Sequence, residues 1–290
     1  MRRHRALAAT ALAASALVAG GCAATAPEPT TTPVAVTETP RSAPAVGAMA
    51  VVGDSITLGV SACGSQEACP QASWAVGSEP EVDSIVQRIN DELGANPRAT
   101  PIARLGAGVD YGVDSVDLIA STGADLVLIL LGANDACKPT VDEVTPPAEF
   151  AAQYSAMLTG IAEALPDTRI VALSVPDVLR LWELGRTDPE TVAMWGASPS
   201  CRSLLAEADS DATADVERRA AIEETVDAYD AAIIAACDAV EQCTSDDGAV
   251  HAVRFEVEHV SAIDSFHPSI AGQAALADAA WPVVASAISP

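Results

Sequence analysis

A chain of 290 residues, half of them hydrophobic, has enough apolar side chains to bury a full core in one large domain or two small ones. Its 15 Lys and Arg stand against 40 Asp and Glu, a net charge of −25 that repels nucleic acid and anionic headgroups, so nucleic-acid binding is excluded. Aromatic residues make up only 3%, which leaves few stacking platforms for a sugar polymer.

Residues 1–21 open with Arg2, Arg3 and Arg5 and continue as an Ala/Leu/Val run ending in Val18-Ala19-Gly20-Gly21-Cys22. A basic start and a short apolar stretch read as a secretory signal, too short for a permanent membrane helix. The small residues before Cys22 are similar to a bacterial lipoprotein processing site. Cys22 is then expected to become the lipidated amino terminus and a membrane tether, with a plain secreted protein as the alternative. Residues 22–45 are rich in Thr, Pro and Ala without hydrophobic periodicity, as in a solvated, semi-extended linker that supplies reach. The globular domain is expected over residues 46–290, as a monomer.

Residues 50–52 are an apolar run that reads as a buried strand, broken by Gly53-Asp54-Ser55. Residues 81–93 carry Val82, Ile85, Val86, Ile89 and Leu93 at helical period, with Gly94 as a stop. A second strand is predicted over 100–105, ending in Gly106-Ala107-Gly108, then a short helix over 113–119. Residues 124–131 are apolar without alternation, as in a central parallel strand buried on both faces, and end in Gly132-Ala133-Asn134-Asp135. A helix over 147–165 and a strand over 169–175 follow. Residues 176–211 read as a long irregular segment holding Trp182, Trp195 and Cys201, with short turns at Leu181/Leu184 and Leu204/Leu205. The two tryptophans either line a pocket or pack beneath it. A long helix is predicted over 216–240, an alternating strand over 250–260 and a closing helix over 268–288. Strand and helix alternate throughout, which gives a doubly wound parallel α/β sheet. No Gly-x-Gly-x-x-Gly opens the first helix and no Gly-Lys-Thr occurs, so no nucleotide cofactor is expected.

With Cys22 set aside, six cysteines remain, an even set that reads as three disulfides in an exported protein. Six cysteines allow fifteen connectivities. Cys63/Cys69 and Cys237/Cys243 are close enough for local loops, which leaves Cys137 with Cys201 to pin two long loops at the rim of a site. No two of the six show Cys-x-x-Cys spacing, so no zinc knuckle is expected.

Ser55, Gly106 and Asn134 each follow a predicted strand, and open α/β sheets carry their sites at the carboxyl ends of strands. Taken alone, Gly53-Asp54-Ser55 is an ordinary turn. Near the other end stands Asp264-Ser265-Phe266-His267-Pro268. Asp264 can reach one ring nitrogen of His267, fixing its tautomer and stabilising the imidazolium, while the other nitrogen takes a proton from Ser55. Without Asp264 beside it, His267 would be a plain helix-start residue. The backbone N–H groups of Ser55 and Gly106 and the side-chain amide of Asn134 can then form an oxyanion hole. Gly108 is a rival to Gly106, and Asp54 and Asp135 are expected to hold loops by hydrogen bonding.

At these residues the chain resembles the SGNH, or GDSL-type, hydrolases. The first block is Gly53-Asp54-Ser55, the second the glycine of Ala103-Arg104-Leu105-Gly106-Ala107, the third Gly132-Ala133-Asn134-Asp135, and the last Asp264-Ser265-Phe266-His267-Pro268. Leu105 stands where the second block usually has Ser. The blocks occur in family order. The resemblance implies a flavodoxin-like three-layer α/β/α fold and metal-free ester hydrolysis by Ser55, His267 and Asp264, on a small-molecule, lipid or glycan ester. An acetyl esterase or acyltransferase of cell-envelope glycans stands as an alternative within the fold, and a non-catalytic envelope lipoprotein as one outside catalysis.

Overall fold

The computed structural model describes residues 46–289. The expected signal segment, lipidated Cys22 and linker lie outside the described residues.

Five parallel strands run in the order β2-β1-β3-β4-β5: β1 (Ala48–Gly53), β2 (Arg98–Ala103), β3 (Leu126–Ile129), β4 (Arg169–Ala172) and β5 (Cys243–Ser245). Side chains alternate across a strand, so each central strand feeds two cores. Ala50, Val52, Val127, Ile129, Ile170 and Ala172 point to one face. There they meet α2 (Val109–Asp114), α3 (Val116–Ser121), α5 (Pro147–Ala164) and α9 (Thr213–Asp238). Met49, Val51, Leu126, Leu128 and Val171 point to the other face, against α1 (Ile85–Leu93) and α10 (Ile270–Ile288). Covering both faces is what makes β1 and β3 apolar at every position, and the result is a three-layer α/β/α sandwich. Because β2 and β3 flank β1 on opposite sides, the strand order reverses at β1/β3. In doubly wound sheets ligands bind outside the carboxyl ends of the strands at that point. Ser55 follows β1 and Asn134 lies in α4 (Ala133–Ala136), directly after β3.

Two predicted elements differ in kind. Residues 250–260 are turns with a 3₁₀ turn at Val257–His259, and the fifth strand is the three-residue β5, closed by the Cys237–Cys243 disulfide. The alternation there reports an anchored turn: Val250 and Phe255 pack into the α10 core while Val257 faces solvent. Asp246 folds it, accepting from the N–H groups of Gly248 and Val250 and from Ser174 on the neighbouring loop. His251 accordingly sits in a turn and His259 ends the 3₁₀ turn.

The stretch 176–211 is helical rather than irregular, with α6 (Val178–Gly185), α7 (Pro189–Ala197) and α8 (Arg202–Leu205). Asp177 caps α6 by accepting from the Arg180 N–H, and Asp188 caps α7, with Pro189 as its first residue. Boundaries shift elsewhere. The helix predicted from residue 81 starts at Ile85, where Ser84 and Gln87 form a capping box. The strand predicted over 100–105 is β2, two residues earlier, and its Pro101 is accommodated on the sheet edge.

Three disulfides close, Cys63–Cys69, Cys137–Cys201 and Cys237–Cys243. Such a set belongs to an oxidising, extracytoplasmic environment. Among the described residues no helix is long and apolar enough to cross a membrane.

Candidate active site

The turn after β1 is built by Asp54, whose Oδ1 accepts from the Ile56 N–H at 2.8 Å while the Leu58 N–H returns to its carbonyl at 3.2 Å. That Asx turn fixes Ser55 at the carboxyl edge of the sheet, 7% exposed. Asp54 Oδ2 accepts from Asn134 Nδ2 at 2.7 Å. A side-chain amide has two donors, so one N–H of Asn134 remains uncommitted among the described residues. Burial pushes the Asp54 carboxyl up to about 6, against the Ile56 N–H, His267 and Asn134, which favour the anion.

Asn134 rides on a helix of a single turn, which cannot hold itself. Gly132 makes the approach: its φ is +126° and a Cβ there would come within 2.5 Å of Val175 Cγ2. Asp135 fastens α4 to its neighbours, accepting from the Val109 N–H and the Thr145 hydroxyl, each at 3.0 Å. Ser203 at α8 bonds the Ala136 carbonyl and both backbone groups of Lys138, beside the Cys137–Cys201 bridge.

Across the cleft, His267 stands ahead of α10. Asp264 Oδ1 accepts from the backbone N–H groups of Phe266 and His267, and its Oδ2 lies 2.6 Å from His267 Nδ1. His267 Nε2 lies 3.0 Å from Ser55 Oγ. Burial raises the Asp264 carboxyl, but the His267 ring and the Ser61 hydroxyl outweigh it and hold the group down at about 2. The carboxylate is therefore ionised across the working pH range and lies against Nδ1, with Nε2 turned to the Ser55 hydroxyl. Pro268 does not open the helix as the sequence suggests. It pairs with Val260 in an isolated bridge, and Ser269 caps α10 by accepting from the Gly272 N–H.

Ser55, Asn134 and His267 line one cleft of about 680 Å³, counting the space open to solvent, with Asp264 behind the ring. Its other walls are mainly apolar, including Ile56, Val178, Leu181, Phe255, Val260 and Phe266. Gly106 does not reach that lining. It lies in the exposed turn after β2 at φ +69°, its N–H donating to no protein acceptor among the described residues. Gly108 is buried, and a Cβ there would come within 2.9 Å of Asp135 Oδ1. The tryptophans pack. Trp195 Nε1 donates to the Ser265 carbonyl, and Trp182 Nε1 to that of Ala208, its ring between Arg186 and Arg219. His259 shares the cleft wall, but its Nδ1 accepts from the Glu256 N–H. His251 points at Asp230, which raises its ring to about 9. Among the described residues no cluster of three or more His, Cys, Asp or Glu is arranged to hold a metal ion.

Two supports escape sequence reasoning. Gln273 is fully buried on α10, its Nε2 donating to the Ile56 carbonyl at 2.9 Å and its Oε1 accepting from the Trp74 N–H at 2.9 Å. A lone amide on an Ala/Leu face was the available signal. Ser61, whose hydroxyl donates to Asp264 Oδ2 at 2.6 Å, leaves no sequence signal, since a loop brings the two together across 203 positions.

The model of the GDSL-like lipase/acylhydrolase family matches residues 51–275. Among solved structures, the crystal structure of TesA is 17% identical with a TM-score of 0.53, covering 83% of this chain and 99% of that one. A putative GDSL-like lipase from Parabacteroides merdae ATCC 43184 is 14% identical with a TM-score of 0.52, covering 83% and 96%. The psychrotrophic esterase EstA from Pseudoalteromonas sp. is 12% identical with a TM-score of 0.50, covering 83% and 97%. At these identities the structural likeness speaks for the fold. No curated protein sequence matches the chain. A family match across most of the domain, on a sheet whose reversal point gathers Ser55, Asn134 and His267, makes this chain a member of the GDSL-like lipase/acylhydrolase family and a carboxylic ester hydrolase.

Proposed function

We propose that the protein is a serine esterase working through an acyl-enzyme on Ser55. His267 Nε2 takes the Ser55 proton as Oγ attacks the ester carbonyl, and Asp264 holds the ring and stabilises the imidazolium. The tetrahedral oxyanion is met by the Ser55 N–H and by the free N–H of Asn134, while Gly106, expected as a third donor, lies outside the cleft lining. Collapse expels the alcohol, which takes the proton from His267. Water then repeats the cycle to release the acid. The single observation that carries this reading is the unbroken chain from Asp264 Oδ2 through both ring nitrogens to Ser55 Oγ, at 2.6 and 3.0 Å.

The cleft favours an acyl chain longer than acetyl. Val178, Leu181, Phe255 and Phe266 present apolar surface that an acetyl group would leave uncovered, and each further buried methylene contributes about 0.8 kcal/mol. Acetyl-glycan esterase or transferase activity is thus the second reading. A panel of p-nitrophenyl esters from acetate to decanoate decides between them, with kcat/KM expected to rise beyond acetate and Ser55→Ala to abolish turnover at every length. A maximum at acetate would favour the second reading, and retained activity in the variant would overturn the first.

The three disulfides fit export through a signal at residues 1–21 and a linker at 22–45 that holds the domain, a monomer, at a membrane surface by lipid on Cys22. Metabolic labelling with a palmitate analogue, lost in Cys22→Ala, tests the tether.

A further inference from the structure

The geometry points to Ser61 as a positioning residue of the hydrolytic site, its hydroxyl sharing the Asp264 carboxylate with His267 and so setting how strongly that carboxylate holds the imidazolium. The inference rests on the reading of His267 as base.

Ser61 is built into place on every side. It is 1% exposed and adopts φ +61°, a left-handed conformation that a residue bearing a Cβ rarely takes. Its N–H donates to the Glu67 carbonyl at 3.1 Å, inside the loop closed by Cys63–Cys69. Its carbonyl accepts from the Ser261 hydroxyl at 2.7 Å, and Ser261 belongs to the turn that carries Asp264 and His267. The left-handed backbone delivers Oγ to Asp264 Oδ2 at 2.6 Å, the same oxygen that faces His267 Nδ1 at 2.6 Å. A hydrogen bond to an anion is short and strong, and it draws charge from the acceptor. The hydroxyl therefore competes with the imidazolium for one oxygen. With it, Asp264 is oriented and moderated. Without it, Asp264 is freer to turn and pulls harder on the ring proton. The other ionisable groups around the pair are Asp54, which interacts with His267 across the turn after β1, and Asp177 and His259 in the cleft wall. None of these donates to Asp264, so the effect of removing the hydroxyl has one path.

Two substitutions separate this role from a merely structural one. Ser61→Ala removes the hydroxyl and keeps the left-handed strain, whereas Ser61→Gly removes the hydroxyl and relieves it. Stability should therefore differ between them while the chemistry changes alike. In both, kcat on a p-nitrophenyl ester is expected to fall about tenfold with KM within about twofold, and the acid limb of kcat/KM to move about half a pH unit upward. Wild type and Ser55→Ala are run beside them. An active Ser55→Ala would mean the underlying reading has failed. With that control inactive, an unmoved acid limb in both folded variants, whatever their rates, would overturn the inference, as would a shift confined to the less stable one.

Discussion

The Cys137–Cys201 bridge gives the sharpest quantitative expectation. It closes 64 positions of chain, against 6 for each of the other two disulfides. In the chain-entropy treatment, opening a loop of that length returns freedom to the unfolded chain and lowers the stability of the fold by about 4 kcal/mol, against about 2 kcal/mol for a six-position loop. The double substitution Cys137→Ser/Cys201→Ser should thus cost about twice what Cys237→Ser/Cys243→Ser costs. Urea unfolding under non-reducing conditions reads both. The long bridge also abuts the cleft, since Cys137 follows α4 directly and Asn134 stands three residues before it. Loosening α4 should lower kcat about tenfold and leave KM within a factor of two, because Asn134 is asked to act on the transition state rather than the bound ester. Equal stability losses for the two pairs, or an unchanged kcat in the Cys137/Cys201 variant, would refute the reasoning.

Asp54 and Gly132 give two further tests. Because burial raises Asp54 to about 6, the folded protein holds a proton between about pH 4 and 6 that the unfolded chain has released, so this group's contribution falls as pH rises through that window. Asp54→Asn should therefore be more stable than wild type at pH 8 by about 1–2 kcal/mol, with no advantage at pH 4, yet slower in kcat because Asn134 loses its anionic anchor. Urea midpoints at the two pH values check it, and an advantage of equal size at both would contradict the burial argument. Gly132→Ala combines φ +126° with a Cβ 2.5 Å from Val175 Cγ2, so a loss of about 2–4 kcal/mol in chemical denaturation and a collapse of kcat are expected. A wild-type midpoint would show that the approach of α4 to Val175 is looser than described.

The sequence carried the architecture because its strongest signals are buried ones. β1 and β3 are apolar at every position since helices cover both faces, and that run of hydrophobicity is legible without contacts. Ser55, Asn134 and His267 were legible only as a set: each alone is an ordinary turn or helix-start residue, and it is their placement at element ends together with Asp264, in family order, that singled them out. The pairing of Cys137 with Cys201, left over by the two close pairs, is the one the structure forms. What failed was local. Val253, Phe255 and Val257 alternate like a strand, yet Asp246 gathers the chain into a turn and the sheet ends at β5. The helices α6 and α7 are short, and their capping aspartates lie in a stretch dense with Pro and Asp, where caps and loops look alike. Ser61 was beyond reach and Gln273 showed only as a lone amide on an apolar helix face, because each acquires its role from partners about 200 positions away.

The most direct test is covalent. A fluorophosphonate probe mimics an ester carbonyl and is captured by an activated serine, so wild-type protein should gain the mass of one adduct, mapped to the peptide bearing Ser55. Ser55→Ala should gain none, and His267→Ala should react far more slowly. An unlabelled wild type that still hydrolyses p-nitrophenyl esters, or an adduct on another residue, would contradict the assignment of Ser55 as nucleophile.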